Sequence, residues 1–412
     1  SASVAITVSP VNDAPTIGTS VNVTTPEDTQ VGINLTTNAN DVDGGTGVGD
    51  AGISTYTVQT LPSATAGALF LSDGTTAVVA GSAITPAQAA SLIFKPAANF
   101  SGGPINFTYI TTDGDGADSN VATGAITVTP VNDTPTISVP GAQSVNEDTN
   151  LSITGTSVAD IDSGTNDVTA TLSVTSGTLT LAGTVGAGLA VSNDGTSTVT
   201  LVGTTAEINA AIATITYLGN ANFHGTDTLQ VTINDQGNAG ADPGLTGGIS
   251  NEQASALVGI TVNQVNDPPI AAVFNATTPE NTTVTVSLSA TDPDGGTNTT
   301  TDAGLATITI TALPPGSQGV LTFADGTTPV VAGTAITPAQ AADLRFVPVT
   351  NFNGTVNFTF NATDTAGLDS ASAAGTVIVS STNTAPSLDT NTGFSVNEGQ
   401  PVTLSNISLS VS

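Results

Sequence analysis

"SPVNDAPTI" occupies residues 9–17, "TPVNDTPTI" residues 129–137 and "QVNDPPIA" residues 264–271, and a fainter copy, "STNTAPSL", follows at 381–388. The shared Asn falls at Asn12, Asn132, Asn266 and Asn383, at spacings of 120, 134 and 117 residues. A fixed period with shared landmarks is the mark of a tandem array, which decides the fold before any single segment is read. About fifteen residues after each Asn comes a glutamate: Glu27 in "TPEDT", Glu147 in "VNEDT", Glu280 in "TPENT" and Glu398 in "VNEGQ". Then follows an acid pair, Asp41 and Asp43 in "DVDGG", Asp160 and Asp162 in "DIDSG", Asp292 and Asp294 in "DPDGG". Late in each period one more acid precedes a turn: Asp113, Asp235 and Asp364.

Between these landmarks "NVTTPEDTQVGINLTT", "STYTVQTLP", "INFTYITT" and "TGAITVTPV" alternate apolar β-formers with Ser, Thr and Asn, bounded by Gly, Asp and Pro. Roughly seven such strands per period, with turns every 8–12 residues, predict a β-sandwich. One short helix is expected in "GSAITPAQAASLIFKP" (81–96) and "GTAITPAQAADLRFVP" (333–348). There Thr85 and Thr337 are N-caps, Pro86 and Pro338 take the first helical position, and Gln88 and Gln340 complete capping boxes. The second period is a diverged relative with "TTAEINAAIATITYLG" in that place. Phe100, Phe223 and Phe352, in "NFSG", "NFHG" and "NFNG", are expected to plug one core each; His224 reads as a surface turn residue.

The expected organisation is a closing strand of a preceding module at 1–10, modules at 11–130, 131–264 (diverged) and 265–382, and the start of a fourth at 383–412. The chain thus reads as a window on a longer array.

Composition narrows the function. Two Lys and Arg stand against 33 acids, a net charge of −31, so the basic contacts that bind nucleic acid are missing. No apolar run approaches the roughly 18 residues of a membrane span. With no cysteine there is no disulfide, zinc-thiolate site or thiol nucleophile. Charged residues are 8% and hydrophobic ones 38%, in alternating runs, which speaks against disorder. One His, Lys95 and Arg345 leave little for catalysis beyond carboxylates, and those recur in every period, which suits a structural role and not a single active site. The acid excess points to hard cations, calcium above all.

The Asn-Asp-x-Pro segment is expected to be the hinge between modules, stiffened by proline. If the acid pair and the late acid lie on loops facing that hinge, and the glutamate of the preceding module reaches it, six or more oxygens gather there. Asp-Gly and Asn-Asp also favour turns by bonding their own backbone. Recurrence of the same acids at matching offsets argues for shared chemistry as well. No loop has the acid spacing of an EF-hand, and the glycine-rich "GGTGVGD" (44–50) occurs once and out of register.

The order "PED" or "PEN", then "ATDPDGGTN" (290–298), a late "ATDTAG" and a closing "VNDAP"-type linker resembles cadherin repeats. It is similar in particular to the bacterial cadherin-like tandem repeats of large secreted RTX-type surface adhesins. The resemblance implies an all-β chain of tandem cadherin-like or Ig-like Greek-key β-sandwich modules in an extended array, stiffened by Ca2+ between modules. By position it implies ligands Asn12, Asp13, Asp41, Asp43 and Asp113 before the first module. It implies Glu27, Asn132, Asp133, Asp160, Asp162 and Asp235 at the next junction, and Glu147, Asn266, Asp267, Asp292, Asp294, Asn298 and Asp364 at the third. Glu280 and Asn383 would face the fourth. The acid that the family places just ahead of the linker Asn is here Pro10, Pro130 or Gln264, so the number of ions per junction stays open. The implied function is an extracellular extender that holds adhesive parts away from a cell. The alternative is a subunit segment of a filament or surface-layer lattice whose modules pack laterally. The implied partners are calcium ions and neighbouring repeats, with no nucleic acid and no membrane span.

Overall fold

Strands with alternating polarity bury every second residue, and each period solves this by facing two sheets around one core. The structure is a computed structural model that describes residues 3–8, 11–42, 44, 52–183, 185–237, 240, 252–295, 304–383, 398, 399 and 401. Asp43, Asn298 and most of 384–412 lie outside the described residues, as does most of the "GGTGVGD" stretch. By contacts the chain divides into two compact units. Unit 1 is Ser1–Val145, Thr149–Asn220 and Thr226–Val262; unit 2 is Asn146–Asp148, Ala221–Gly225 and Asn263–Ser412.

In unit 1, the first period has a five-stranded sheet in the order Val21–Pro26, Ala122–Thr129, Gly102–Asp113, Ile53–Thr60, Ala83–Ile84. A three-stranded sheet, Val31–Ile33, Leu92–Pro96 and Gly67–Phe70, faces it. Between them lie Tyr56, Leu92, Phe94, Phe107 and Tyr109, all buried. The second period repeats the plan with a six-stranded sheet ordered Gln143–Asn146, Gln253–Asn263, Gly225–Asn234, Val168–Ser173, Thr198–Gly203, Ala190–Ser192. Its three-stranded sheet is Leu151–Thr154, Thr214–Gly219, Gly177–Leu181.

Unit 2 carries the third copy. Its sheets are Phe274–Pro279, Ala373–Ser380, Gly354–Asp364, Leu305–Ala312, Ala335–Ile336, and Val284–Val286, Leu344–Pro348, Gly319–Thr322. Phe346, Phe358 and Phe360 fill the space between them.

One pairing matters for function. The opening strand Val21–Pro26 runs parallel to the closing strand Ala122–Thr129, with Pro26 opposite Thr129. Phe274–Pro279 pairs likewise with Ala373–Ser380, with Pro279 opposite Ser380. Parallel neighbours cannot share a hairpin, so the chain crosses the sandwich before closing it. The residue after the opening strand is therefore delivered to the end where the chain leaves the sandwich. In both copies that residue is the signature glutamate.

Helix is confined to the expected place among the described residues. Pro86–Ala89 and Pro338–Ala341 carry complete Thr–Gln capping boxes. The diverged period has a longer helix, Thr205–Ile212, capped by Thr204 and Glu207 in the same way.

Two expectations change. Residues 3–8, read as a closing strand, form no strand; Val4, Ile6 and Val8 are 85%, 84% and 86% exposed. A strand exists only against a partner edge, and that segment has none among the described residues. Phe100 and Phe352 do not plug cores but pack, half-buried, at their margins, and Phe223 is half-buried too. The plugs are strand aromatics whose polar neighbours disguised them: Phe94, Tyr217 and Phe346 in one sheet, Phe107 and Phe358 in the other.

Those rings explain a glycine pattern. Gly124 stands opposite Phe107, and Gly375 opposite Phe358. In each pair the ring lies across the glycine, 2.1 Å from where a Cβ would be. Alanine would ordinarily gain stability by restricting the unfolded chain, but here the clash with a buried ring decides the sign. Gly375→Ala should cost about 1–3 kcal/mol in denaturant unfolding. A neutral or stabilising result would mean that the Phe358 ring has room to turn aside.

Candidate metal centre

The parallel pairing brings Glu27 to the linker 104 residues downstream, and hydrogen bonds fix it there. The Glu27 backbone N–H donates to the Thr129 carbonyl at 2.9 Å, and its Oε1 accepts from the Val131 N–H at 2.6 Å. Glu147 repeats the contact in unit 2: its N–H donates to the Asn263 carbonyl at 2.9 Å, and Oε1 accepts from the Val265 N–H at 2.5 Å. Glu280 does so again, with the Ser380 carbonyl at 2.8 Å and the Thr382 N–H at 2.7 Å. Glu27 and Glu147 are buried.

The linker Asn and Asp have equally regular partners. Asn12 Nδ2 donates to Asp113 Oδ2 at 2.8 Å, Asn132 Nδ2 to Asp235 Oδ2, and Asn266 Nδ2 to Asp364 Oδ2 at 2.8 Å. The Asp133 N–H donates to Asp162 Oδ2 at 2.6 Å, and the Asp267 N–H to Asp294 Oδ2 at 2.7 Å. In the second and third acid pairs the first Asp forms a turn, with Asp160 Oδ1 accepting from the Asp162 N–H at 2.9 Å and Asp292 Oδ1 from the Asp294 N–H at 3.1 Å. The turn-forming role is thus real, and at Asp160 it leaves Oδ2 buried without a donor.

What remains is a set of carboxylates facing one another. In unit 1 the charges of Asp133, Glu27 and Asp160 act on Asp162, and those of Asp235 and Asp133 act on Asp160. In unit 2, Glu147, Asp267 and Asp294 offer carboxylate oxygens all within 4.8 Å of one another. Buried oxygens without a hydrogen-bond donor lie in both: Asp133 Oδ2 and Asp160 Oδ2 in unit 1, Asn266 Oδ1 and Asp267 Oδ2 in unit 2. Burying a carboxylate oxygen without a donor or cation is costly, so these sets fit a hard dication that takes oxygen ligands.

Electrostatics say the same. Burial, then the neighbouring charges of Asp133, Glu27 and Asp160, push Asp162 up to about 6, against a lowering by the Asp133 N–H. Asp160 and Asp133 are raised, chiefly by burial. Asp267 is raised by burial and then by Asp294, Asp148, Glu147 and Asp292. Both basic side chains of the chain are engaged elsewhere. Lys95 donates to the Gly74 carbonyl over the Phe70 ring, and Arg345 pairs with Asp343 at 2.8 Å.

The remaining expected ligands are placed as follows. Asn12 and Asp113 meet at the start of the first period, where Asp41 is half-buried and Asp13 exposed. Asp292 and Asp364 stand beside the unit 2 set through the bonds above. Asn383 is exposed. Asp43 and Asn298 fall outside the described residues.

Four residues escaped the motif reading. Glu252, 3% exposed, accepts from Thr134 Oγ1 at 2.9 Å while its N–H donates to Asp235 Oδ1. It ends the stretch that makes the second period the longest. Asp28 and Asp148, each next to the signature glutamate, add charge against Asp133 and Asp267. Both hold left-handed backbone at φ of 55° and 54°, as does Asn281 at 63°, a conformation Asp and Asn tolerate. Last, His224 is half-buried, and its Nδ1 lies 3.7 Å from Glu147 Oε2.

A family model described as "Protein GAMETE EXPRESSED 2 domain" matches residues 162–242. No curated protein matches the chain. Among solved structures, Drosophila N-cadherin EC1-4 is 13% identical over 90% of this chain and 76% of that one, with a TM-score of 0.22. The human desmocollin-1 ectodomain is 14% identical over 91% and 63%, with a TM-score of 0.31. The insect immune protein hemolin is 12% identical over 89% and 76%, with a TM-score of 0.23. The chain spans under two thirds of the desmocollin-1 structure. The all-β sandwich assignment stands on the strand orders themselves. No helix among the described residues is long and apolar enough to cross a membrane.

Proposed function

We propose that this chain is a calcium-stiffened repeat segment of an extracellular adhesion-type protein, serving as a structural extender and not as an enzyme. The observation that carries the reading is in unit 1. Glu27, from the closing end of the first period, shares one carboxylate set with Asp133, Asp160 and Asp162 from the opening of the second. A bound dication supplies the positive charge that this set lacks. Glu27, Asp133, Asp160, Asp162 and Asp235 would hold it in unit 1; Glu147, Asn266, Asp267, Asp292, Asp294 and Asp364 would hold it in unit 2. The residues themselves fix the linker: Glu27 clamps the Val131 N–H, and Asp162 clamps the N–H of Asp133 two residues on. With like charges unscreened these clamps work against repulsion, and with a cation they are reinforced. Extracellular modules bind calcium at about 10⁻⁴–10⁻³ M, which suits a millimolar calcium environment.

The test pairs small-angle scattering with thermal unfolding, in chelator and in calcium. At 10 to 100 times the dissociation constant each site should add about 1.4–2.7 kcal/mol by mass action. The scattering profile should show a longer, stiffer monomeric particle with the ion. Identical profiles and melting points in both conditions would refute the reading, and calcium-driven polymerisation would replace the extender by a lattice subunit.

A further inference from the structure

We infer that the "NFxG" turns are positioning elements of the junctions: each grips the residue after a signature glutamate and so aims that glutamate at the linker. The effect on the ion rests on the calcium reading above. The grip recurs in all three copies. The Asn99 N–H donates to Asp28 Oδ1 at 3.1 Å, and the Asn222 N–H to Asp148 Oδ1 at 3.1 Å. The Asn351 N–H donates to Asn281 Oδ1 at 2.9 Å, and Asn281 Nδ2 returns a bond to Asn351 Oδ1 at 3.2 Å. Both partners are left-handed each time: Asn99, Asn222 and Asn351 have φ of 54°, 57° and 61°, like Asp28, Asp148 and Asn281 opposite them. Left-handed backbone is uncommon outside glycine, and six such residues meeting in three pairs mark a held geometry.

The rest of the motif stiffens the grip. Gly102, Gly225 and Gly354 have φ of 140°, 127° and 141°, and the Phe ring two residues earlier ends 3.7, 4.0 and 3.3 Å from where their Cβ would be. On the other side, buried Thr25 and Thr278 donate through Oγ1 to the Thr29 and Thr282 carbonyls at 2.7 and 2.8 Å. These bonds close the glutamate turns of the first and third copies. Asp28 sits between the two anchors, one residue from Glu27, whose Oε1 takes the Val131 N–H. A single hydrogen bond adds little net to folding, so its recurrence at exposed loops points to placement and not to bulk stability. The third copy shows which property matters. Asn281 carries no charge yet keeps the acceptor, so the oxygen recurs and the acid does not.

The test removes the acceptor at Asp28 and then restores it. In the full chain, Asp28→Gly tolerates the left-handed backbone and loses the oxygen, whereas Asp28→Asn keeps both, as Asn281 does. Amide hydrogen exchange in chelator reads the clamp directly. In Asp28→Gly the Val131 N–H should exchange about two- to tenfold faster, the ratio that one net hydrogen bond supports, while the amides of Ala122–Thr129 keep their protection. Asp28→Asn should restore the parent rate. In calcium, Asp28→Gly should weaken binding at least about tenfold, the scale at which residues supporting a metal ligand act, and Asp28→Asn should lose less. An unchanged Val131 amide in Asp28→Gly, or equal effects of the two substitutions, overturns the inference. Lost protection along Ala122–Thr129 also overturns it, by making Asp28 a support of the fold alone. A parent without any calcium response overturns the calcium reading, and Val131 exchange in chelator still decides the grip.

Discussion

Asp162→Asn should stabilise the protein in chelator and destabilise it in calcium. In the metal-free state the carboxylate is raised to about 6 by burial and by Asp133, Glu27 and Asp160. Its charge therefore opposes folding at neutral pH. Asparagine removes that charge and keeps an oxygen for the Asp133 N–H, which Asp162 Oδ2 accepts at 2.6 Å. For a partly exposed group the gain is about 1–2 kcal/mol after allowance for solvent screening. In calcium at about 100 times the dissociation constant the parent gains about 2.7 kcal/mol at this site. The variant, with one carboxylate fewer, forfeits most of that, so the stability order reverses. Melting of both proteins in the two buffers reads this out; a substitution with the same sign in both would remove Asp162 from the cation set.

The pH dependence follows with a definite sign. Between about pH 4 and 6 the metal-free folded protein keeps a proton at Asp162 that the unfolded chain has released. Its stability must fall as pH rises through that window and level off above it. In calcium the slope should turn over, because the ion competes with the proton for the same oxygens. Asp162→Asn should flatten both.

Asp227→Ala should damage the fold more than Gly375→Ala or Asp162→Asn, at about 3–5 kcal/mol, and it has nothing to do with the cation sets. Asp227 is 4% exposed in unit 1. Its Oδ1 accepts from the Thr175 N–H, Thr175 Oγ1 and the Thr228 N–H at 3.1, 2.7 and 2.8 Å. Its Oδ2 accepts from the Ser176 N–H at 2.9 Å and the Tyr217 hydroxyl at 3.1 Å. Burial alone would raise its pKa, but the donors, Thr175 foremost, hold it below the usual carboxylate range. Its contribution is thus present at neutral pH and is lost as pH falls through the depressed folded value. Alanine would strand the hydroxyl of the buried Tyr217 and remove the acceptor of the Thr175, Ser176 and Thr228 N–H groups, and a buried donor costs more unmade than it yields when made. The third period has Val356 at the matching place and Phe346 where the second has Tyr217. Pairing Asp227→Val with Tyr217→Phe should therefore cost less than the sum of the two single changes, since one orphaned donor goes with its acceptor. Additive costs in denaturant unfolding would show that the hydroxyl does not rely on Asp227.

The sequence by itself determined what depends on neighbours along the chain. Alternation of apolar and polar residues made every period a β-sandwich, and Thr85–Gln88 and Thr337–Gln340 marked short helices that form as read. Recurrence singled out the acids, because turn-forming and cation-binding carboxylates must reappear at the same offset in each copy. What depends on register was decided only by the tertiary structure. Glu27 reaches Val131 because Pro26 lies opposite Thr129 in a parallel pair, and a spacing of about a hundred residues carries no trace of that. The aromatic plugs could not be read either. Phe94, Phe107 and Phe358 owe their burial to the glycine or sheet that faces them, whereas the repeated "NF" motif only reaches the core's margin. Asp227 and Glu252 left no signal because neither recurs, and a buried carboxylate is specified by donors from distant strands. His224 looked like a turn residue for the same reason. Its own neighbours form a turn, and only the fold sets its Nδ1 beside Glu147, 77 residues earlier.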